Sequence, residues 1–543
     1  MRSEVLVGRQ LVKLNGRGVY RDFFIARLAV IPISIVGAFL SYFFAKQLFG
    51  TLPALLTLAI WCFSPSTLAY GSLITPDLSS AVAFLATCFA IYHWLLLPNT
   101  VSTAILSSAL AIALLTKSVW LILVPLLPLI WTTLILWGCL RKNAGRNCKL
   151  DRTWQPLAIQ SGLNLLIAIL VAVFAVNAFY GFQQSLKPLG EYRFLSAKLS
   201  GNPIPTQDAG DKVCLECPVD RMTNRFSSTF MSGFPIPLPS RYVEGIDLQL
   251  RDFERGWYDP KWQSYLLGTW KQGGWWYYYL LAIFFKTPAV TWLLFAMSLF
   301  AFPQMSWSGK VRTAMSITLP AIAFLIMASS AMGINRYFRY ALPVLPFLFI
   351  WCGLSGKLIA ECSGPVRQRI AGCLLLTSVV YMSYTAWHFA PHHLSYFNEI
   401  VGGPSSGHKF LCDSNVDWGQ DLVALENWLE LNPQAKKNLH LAYFGSYDPS
   451  WVGIEYDSNV FASLHEQDGK ELPEGWYVIS KNFLVGHSMP IPTSSSKLRF
   501  DRFPEDTFAK FVELTPSHHI GYSMFVYHIE TKRRHQEVKL VKQ

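Results

Sequence analysis

Ten apolar runs, separated by polar loops, dominate residues 22–390 of the chain. A helix rises about 1.5 Å per residue, so about 20 apolar residues cross the roughly 30 Å hydrocarbon layer of a membrane. A further run, 274–285, could lie in the membrane interface instead of crossing. The sequence therefore predicts a mainly α, polytopic transmembrane helical bundle of about ten spans. The predicted spans lie near residues 22–46, 51–70, 78–97, 101–116, 118–139, 157–180, 287–303, 313–331, 340–355 and 369–390.

The charged residues indicate how these helices are oriented. Only 15% of the residues are charged, against about 25% in soluble domains. The net charge of +12 comes from Lys and Arg in short loops, not from one basic face, which argues against nucleic acid as a partner. Loops 141–153, 304–312 and 356–369 fall on one side of the bundle, so we predict that this side is cytoplasmic. The loop 183–273 and the region 391–543 then face the extracytoplasmic side.

Residues 1–21 break the charge rule. They would be an extracytoplasmic juxtamembrane remnant in this topology, although they contain five basic residues. One interpretation is that later helices dictate the orientation. The other, which we favour, is that an upstream helix and loop are missing from this sequence. The five basic residues are Arg2, Arg9, Lys13, Arg17 and Arg21.

Asp77 is the candidate catalytic residue. It follows the segment SPSTLAYGSLITP, directly before an apolar helix on the predicted outer side. A carboxylate in the middle of a membrane helix costs about 2.5–3.5 kcal/mol, so a carboxylate beside the membrane suggests a role. The alternative is that Asp77 only caps the helix that follows. The residue by itself does not decide between the two.

Four basic residues lie on the same predicted side as Asp77. Each of them could be an interface anchor whose charged end reaches the polar headgroups. Four cations and one carboxylate on one face, however, favour an anionic, lipid-linked ligand with a phosphate group. We therefore predict donor-phosphate binding by Lys117, Lys286, Arg336 and Arg339.

The region 391–543 has the pattern of a small α/β domain. Helical spacing of apolar residues occupies 421–431, and strand-like runs occupy 438–444, 476–480 and 523–529. The polar stretch with Asp413, Asn415 and Asp417 precedes that helix. Asp417 or Gln420 could cap the helix, or the stretch could bind a sugar, an acceptor or a cation.

Two cysteines, Cys214 and Cys217, lie in the outer loop 183–273, where a disulfide is allowed. No second ligand pair of matching spacing accompanies them, so a local disulfide or two thiols is favoured over a zinc site. A divalent cation, Mg²⁺ or Mn²⁺, bound partly by Asp77 also stays open as a cofactor.

The segments SPSTLAYGSLITPD, GGWWYYYLLAIFFKTP, RYALPVLP and YFNEIVGG…DSNVDWGQDL resemble membrane glycosyltransferases of the C-type fold. They are most similar to the bacterial branch of the dolichyl-phosphate-mannose–protein mannosyltransferase family, glycosyltransferase family 39. The resemblance implies a bacterial inner-membrane enzyme. Such an enzyme transfers a sugar from a polyprenyl-phosphate donor to a glycan, protein or lipid acceptor on the extracytoplasmic face, with inversion at the anomeric carbon.

The resemblance also suggests roles for single residues. Asp77 matches an acidic position of the second outer loop, Lys117 and Arg339 match basic positions that face the donor phosphate, and Lys286 matches more loosely. The family carries its principal catalytic acid in a first outer loop, and this sequence begins about where that loop ends. An inactive relative that binds lipid-linked sugar is therefore the alternative. A transporter of lipid-linked sugars is a further one.

Overall fold

The computed structural model describes most of the chain, as two compact units. One unit comprises Met1–Phe23 together with Pro404–Gln543, and the other comprises Phe24–Gly403. The described residues are 3–143, 158–201, 223–258, 262–331, 335–361, 364–461, 472–492, 500–502, 504 and 506–530.

Apolar helices long enough to cross a membrane account for most of the unit Phe24–Gly403. Over the described ranges there are seven such helices, two further helix pairs that are each bent at a short break, and one shorter apolar helix, Thr100–Thr116. The prediction of a mainly α, polytopic bundle is confirmed, and the chain is an integral membrane protein. The seven are Gly18–Phe49, Pro76–Leu96, Ser118–Leu136, Gln160–Phe179, Trp307–Ser330, Phe338–Ile359 and Pro365–His388.

The two bent pairs have one physical cause. Thr51–Phe63 and Pro65–Gly71 meet at 58°, and Tyr278–Lys286 and Ala289–Gln304 meet at 110°. A proline disfavours the helical conformation of the residue before it. Ser64, before Pro65, is accordingly extended, with φ −68° and ψ 121°. Thr287, before Pro288, is also extended, with φ −111° and ψ 140°. The run 274–285 thus contributes to the first arm of a sharply bent pair.

Close packing between helices is specific at two places. Trp120 stacks on Phe84 with ring centroids 4.3 Å apart, and its indole nitrogen donates to the Ser80 hydroxyl at 2.8 Å. Gly353 lies against Thr57 of helix Thr51–Phe63, where a side chain would overlap the threonine hydroxyl. These contacts hold together the helices whose ends form the site described below.

A 19-residue helix, Ser240–Tyr258, lies outside the candidate spans, and we call it the loop helix. A small hairpin follows it, with β1 at Ser264–Leu266 and β2 at Thr269–Lys271. Asp247 and Glu254 of the loop helix are both buried. Each accepts two backbone N–H groups of residues 195–198, at 2.6 to 3.0 Å.

The other unit contains a four-stranded sheet. Its strands are β3 (Leu439–Ala442), β4 (Gly475–Ser480), β7 (His518–Ile520) and β8 (Met524–Ile529). Their order is β3-β4-β8-β7; β3 and β4 are parallel, and the other pairs are antiparallel. A separate pair joins β5 (Pro490–Pro492) to β6 (Phe500–Arg502). The predicted strands 438–444, 476–480 and 523–529 are confirmed.

Helix Leu422–Leu431 covers one face of this sheet, at the position predicted from its apolar spacing. The N-terminal residues Val12 and Val19 are buried in the same core. Arg17 pairs with Glu426, and its Nε donates to the Val452 carbonyl at 3.0 Å. The N-terminal segment is therefore part of this compact unit.

Candidate active site

Asp77 lies in the first turn of helix Pro76–Leu96. Pro76 is well suited to the start of a helix, because its missing N–H would have no intrahelical partner there. Thr75, not Asp77, occupies the N-cap position. The Asp77 side chain is only 6% exposed. The alternative that Asp77 is merely the helix cap is therefore wrong, and its carboxylate has other partners.

Two cations face the Asp77 carboxylate. Lys117 Nζ donates to Oδ1 at 2.9 Å, and Arg339 Nε lies 3.9 Å from Oδ2. Lys117 occupies the break between helices Thr100–Thr116 and Ser118–Leu136, and Arg339 lies near the start of Phe338–Ile359. We call Asp77, Lys117 and Arg339 the ion triad. It brings together three helix ends that are far apart in sequence.

Aromatic rings surround the two cations of the triad. Lys117 Nζ lies 4.9 Å from the centre of the Tyr340 ring. The Arg339 guanidinium lies 4.4 Å from the Tyr337 ring and 5.5 Å from the Tyr340 ring. Phe253 of the loop helix packs edge-on against Tyr340, with centroids 5.9 Å apart. These rings lower the local dielectric, which strengthens charge–charge interactions in the site.

The loop helix is hydrogen-bonded on both sides of Lys117. Tyr242 donates its hydroxyl to the Leu114 carbonyl at 2.9 Å. Ser118 donates its hydroxyl to Gln249 Oε1, also at 2.9 Å. The loop helix is thus attached to the residues that precede and follow Lys117. Sequence reasoning did not identify this helix as part of the site.

Tyr70 is a further part of the site that the sequence analysis did not identify. It lies in the segment SPSTLAYGSLITPD and is 1% exposed. Its hydroxyl has no hydrogen-bond partner among the described residues. The centroid of its ring lies 6.3 Å from that of Phe338, the residue before Arg339 in the chain. A buried polar group of this kind beside an ion triad is a candidate ligand contact.

The contacts described for Lys286 and Arg336 are with residues outside the triad. Lys286 is 2% exposed, donates to the Leu394 carbonyl at 2.7 Å and lies 4.4 Å from the Phe397 ring. Arg336 donates to the Gln263 carbonyl, and its guanidinium lies 5.5 Å from the Trp262 ring. Of the four predicted phosphate-binding cations, the described contacts thus bring Lys117 and Arg339 to Asp77.

Asp413, Asn415 and Asp417 lie in the other unit, within a buried polar network. His487 Nε2 lies 3.0 Å from Asp413 Oδ2. Asn415 donates to the Cys412 carbonyl at 2.6 Å. Asp417 accepts from the Ser480 hydroxyl at 2.6 Å and from the Gly419 N–H at 2.8 Å.

Neither Asp417 nor Gln420 caps the helix that follows, because Asp421 is its N-cap residue. Binding of a sugar, an acceptor or a cation by Asp413, Asn415 and Asp417 stays a prediction.

Burial shifts two pKa values in this network strongly. It raises the pKa of Asp417 from 3.8 to about 7, against the hydrogen bonds from Ser480 and Gly419. It lowers the pKa of Lys481 from 10.5 to about 7, against the attraction of Asp421 and Asp417. Both groups therefore titrate near neutral pH.

A metal site does not emerge from the part of the chain that the structure describes. Nowhere in it do three His, Cys, Asp or Glu side chains form a group that could hold a metal ion. At Asp77, the two neighbouring cations would also repel a divalent ion, so the triad does not suit Mg²⁺ or Mn²⁺. Cys214 and Cys217 lie outside the described residues.

The fold and the triad thus define a helical integral membrane protein with a buried ionic site at its helix ends. No protein-family model matches the chain, and no curated protein matches its sequence. The structure is similar to crystal structures of ArnT from Cupriavidus metallidurans. The structure bound to undecaprenyl phosphate gives 12% identity and a TM-score of 0.38, and the apo structure gives 13% and 0.37. Each comparison covers 92% of this chain and 83% of ArnT.

Proposed function

We propose that the chain is a membrane glycosyltransferase. It would move a sugar from a polyprenyl-phosphate donor to a hydroxyl group of a glycan, protein or lipid acceptor. The observation that carries this proposal is the ion triad, in which a buried carboxylate lies between two cations at the ends of membrane helices. Such a site offers a proton acceptor and positive charge for a phosphate leaving group. The family resemblance of the segments around Tyr70, Asp77 and Arg339 supports the same function.

The proposed reaction is a single displacement at the anomeric carbon. The acceptor oxygen bonds to this carbon as the bond from carbon to the phosphate oxygen breaks, with inversion. Asp77 accepts the proton of the acceptor hydroxyl, which is a general-base role. Lys117 and Arg339 offset the negative charge that develops on the departing phosphate.

The location of the reaction is part of the proposal. We infer from the basic loops that the triad, the loop helix and the region 391–543 lie on the extracytoplasmic side of a bacterial inner membrane. The packing of Val12 and Val19 into the same compact unit as residues 404–543 supports a common side for these two segments. A hexose such as mannose is the proposed sugar, and protein is one proposed acceptor, both from the family resemblance.

The test is transfer of radioactive sugar in membranes. Membranes with and without the chain receive radiolabelled polyprenyl-phosphate sugar, and we expect labelled acceptor only when the chain is present. Asp77→Asn removes the base and should lower the rate by about 10²-fold or more. Lys117→Ala removes one cation from the phosphate and should lower the rate by a comparable factor.

Lys46→Ala is the matched control. Lys46 also lies near a helix end, but it is exposed and contacts the ring of Tyr42. The Lys46→Ala variant should transfer sugar at the same rate as the unaltered chain. Equal labelling in membranes without the chain would refute the proposed activity. Unaltered rates in both triad variants, at equal expression, would remove the triad from the reaction.

A further inference from the structure

The ion triad has the form of an anion site that already holds an anion. Each oxygen of the Asp77 carboxylate faces one cation, Lys117 at 2.9 Å and Arg339 at 3.9 Å. A phosphate group presents more oxygens and more negative charge to the same cations than a carboxylate does. We propose that Asp77 occupies, in the ligand-free protein, the position that a phosphate group takes when a ligand binds. This inference rests on the proposed function and adds an exchange of anions to it.

Tyr70 provides an independent observation for the same site. Its ring is fully buried, with its centroid 6.3 Å from that of Phe338, the neighbour of Arg339. A buried hydroxyl without a partner costs about 1–3 kcal/mol, so an oxygen that accepts from it would recover this cost. We infer that the Tyr70 hydroxyl donates to a phosphate oxygen once the phosphate has replaced the carboxylate. Lys117, Arg339 and Tyr70 then form the complete anion site.

The exchange links binding to the reaction. While the triad is intact, both carboxylate oxygens of Asp77 face cations. When phosphate takes over Lys117 and Arg339, the carboxylate is released beside the bound donor, where it can accept the proton of an acceptor hydroxyl. Asp77 therefore has two successive roles: it neutralises the cations before binding and acts as base after binding.

The test measures binding to the purified full-length protein in detergent. Farnesyl phosphate, a short polyprenyl monophosphate, is titrated against the unaltered chain and its variants. Asp77→Asn keeps the shape of the side chain but removes the competing charge, so the affinity should rise by about tenfold. Tyr70→Phe should lower it by about five- to tenfold, through loss of one hydrogen bond to a charged group. Lys117→Ala should lower it further.

Two controls separate charge from hydrophobic binding and from misfolding. Farnesol lacks the phosphate, so Asp77→Asn should not change its affinity. Tyr384→Phe alters a tyrosine that is 58% exposed and should bind farnesyl phosphate like the unaltered chain. Inorganic phosphate is titrated in parallel. A response to farnesyl phosphate alone assigns the site to a lipid phosphate, and equal responses assign it to the phosphate group itself.

The outcomes are distinct from those of the transfer assay. Unchanged or weaker binding of farnesyl phosphate by Asp77→Asn overturns the exchange, even if the chain transfers sugar. Unchanged binding by Tyr70→Phe, a variant that leaves the triad intact, overturns the role of Tyr70. Tighter binding by Asp77→Asn together with no sugar transfer by the unaltered chain keeps the anion exchange and refutes the enzyme.

Discussion

Asp417→Asn should remove a large part of the pH dependence of stability in the unit that contains the four-stranded sheet. Burial raises the pKa of Asp417 from 3.8 to about 7, so the folded protein holds this proton more tightly than the unfolded chain. The stabilisation is therefore fully present below pH 3.8 and is lost as the pH rises through about 7. Since one pKa unit corresponds to about 1.36 kcal/mol, the whole change is about 4 kcal/mol.

The window from pH 4.5 to 6.5 isolates this effect. Over these two pH units Asp417 should destabilise the unit by about 2–3 kcal/mol. The stabilisation connected with Lys481 has the opposite sign. It is present above pH 10.5 and is lost as the pH falls through about 7, so most of that change lies outside the window. An asparagine can still accept from Gly419 and donate to Ser480, which makes the substitution nearly isosteric.

The assay is hydrogen exchange of the backbone amides of β4 and β8 in the full-length protein. We expect their free energy of opening to fall between pH 4.5 and 6.5 in the unaltered chain by about 2–3 kcal/mol more than in the Asp417→Asn variant. Glu430→Gln removes an exposed carboxylate from helix Leu422–Leu431 and serves as the control. Equal pH slopes in the unaltered chain and the Asp417→Asn variant would refute the reasoning.

Two further predictions concern helix packing and are read from thermal unfolding in detergent. Gly353→Ala should lower the free energy of unfolding by about 1–3 kcal/mol, because the new Cβ would overlap Thr57. Gly372→Ala should leave it unchanged, since the nearest atom to the new Cβ would be 3.9 Å away. Equal effects of both alanines would argue against close packing at Gly353. Trp120→Phe should cost about 1–3 kcal/mol by removing the hydrogen bond to Ser80. Adding Ser80→Ala to Trp120→Phe should lower the free energy of unfolding little further, because the hydrogen bond is already lost. Fully additive effects of the two substitutions would contradict this coupling between Trp120 and Ser80.

The sequence predicted the helices well because long apolar runs have few other solutions in a membrane. The two bends could also have been predicted from the sequence, because Pro65 and Pro288 disfavour a helical conformation of the residues before them, Ser64 and Thr287. The partners of the charged residues were not. Lys286, like Lys117, is a lysine at the end of an apolar helix. Its ammonium group nevertheless contacts a backbone carbonyl and the Phe397 ring. Sequence spacing cannot tell toward which neighbour a side chain at a helix end points.

The basic residues of the N-terminal segment have a structural role that the sequence analysis did not predict. As topology signals alone, these basic residues conflict with the predicted orientation. Arg9 donates to the Ser446 carbonyl at 2.6 Å, and Arg17 pairs with Glu426. Val12 lies in helix Ser3–Asn15 and Val19 in helix Gly18–Leu28, and a turn at Gly16 separates the two helices. The burial of both valines in one core is therefore a tertiary contact and not the periodicity of one helix. The contacts of Arg9 and Arg17 depend on residues more than 400 positions away in the sequence, so no local pattern predicts them.

Asp247 and Glu254 of the loop helix connect the ion triad to residues that do not contact it. Asp247 and Glu254 hold four consecutive amides of residues 195–198, and Tyr242 and Gln249 of the same helix hold the backbone and side chain on either side of Lys117. The loop helix is therefore fixed to the partly buried segment 195–198 by one set of hydrogen bonds and to the residues beside Lys117 by another. Changes at residues 195–198 should alter the position of Lys117 without any contact with it.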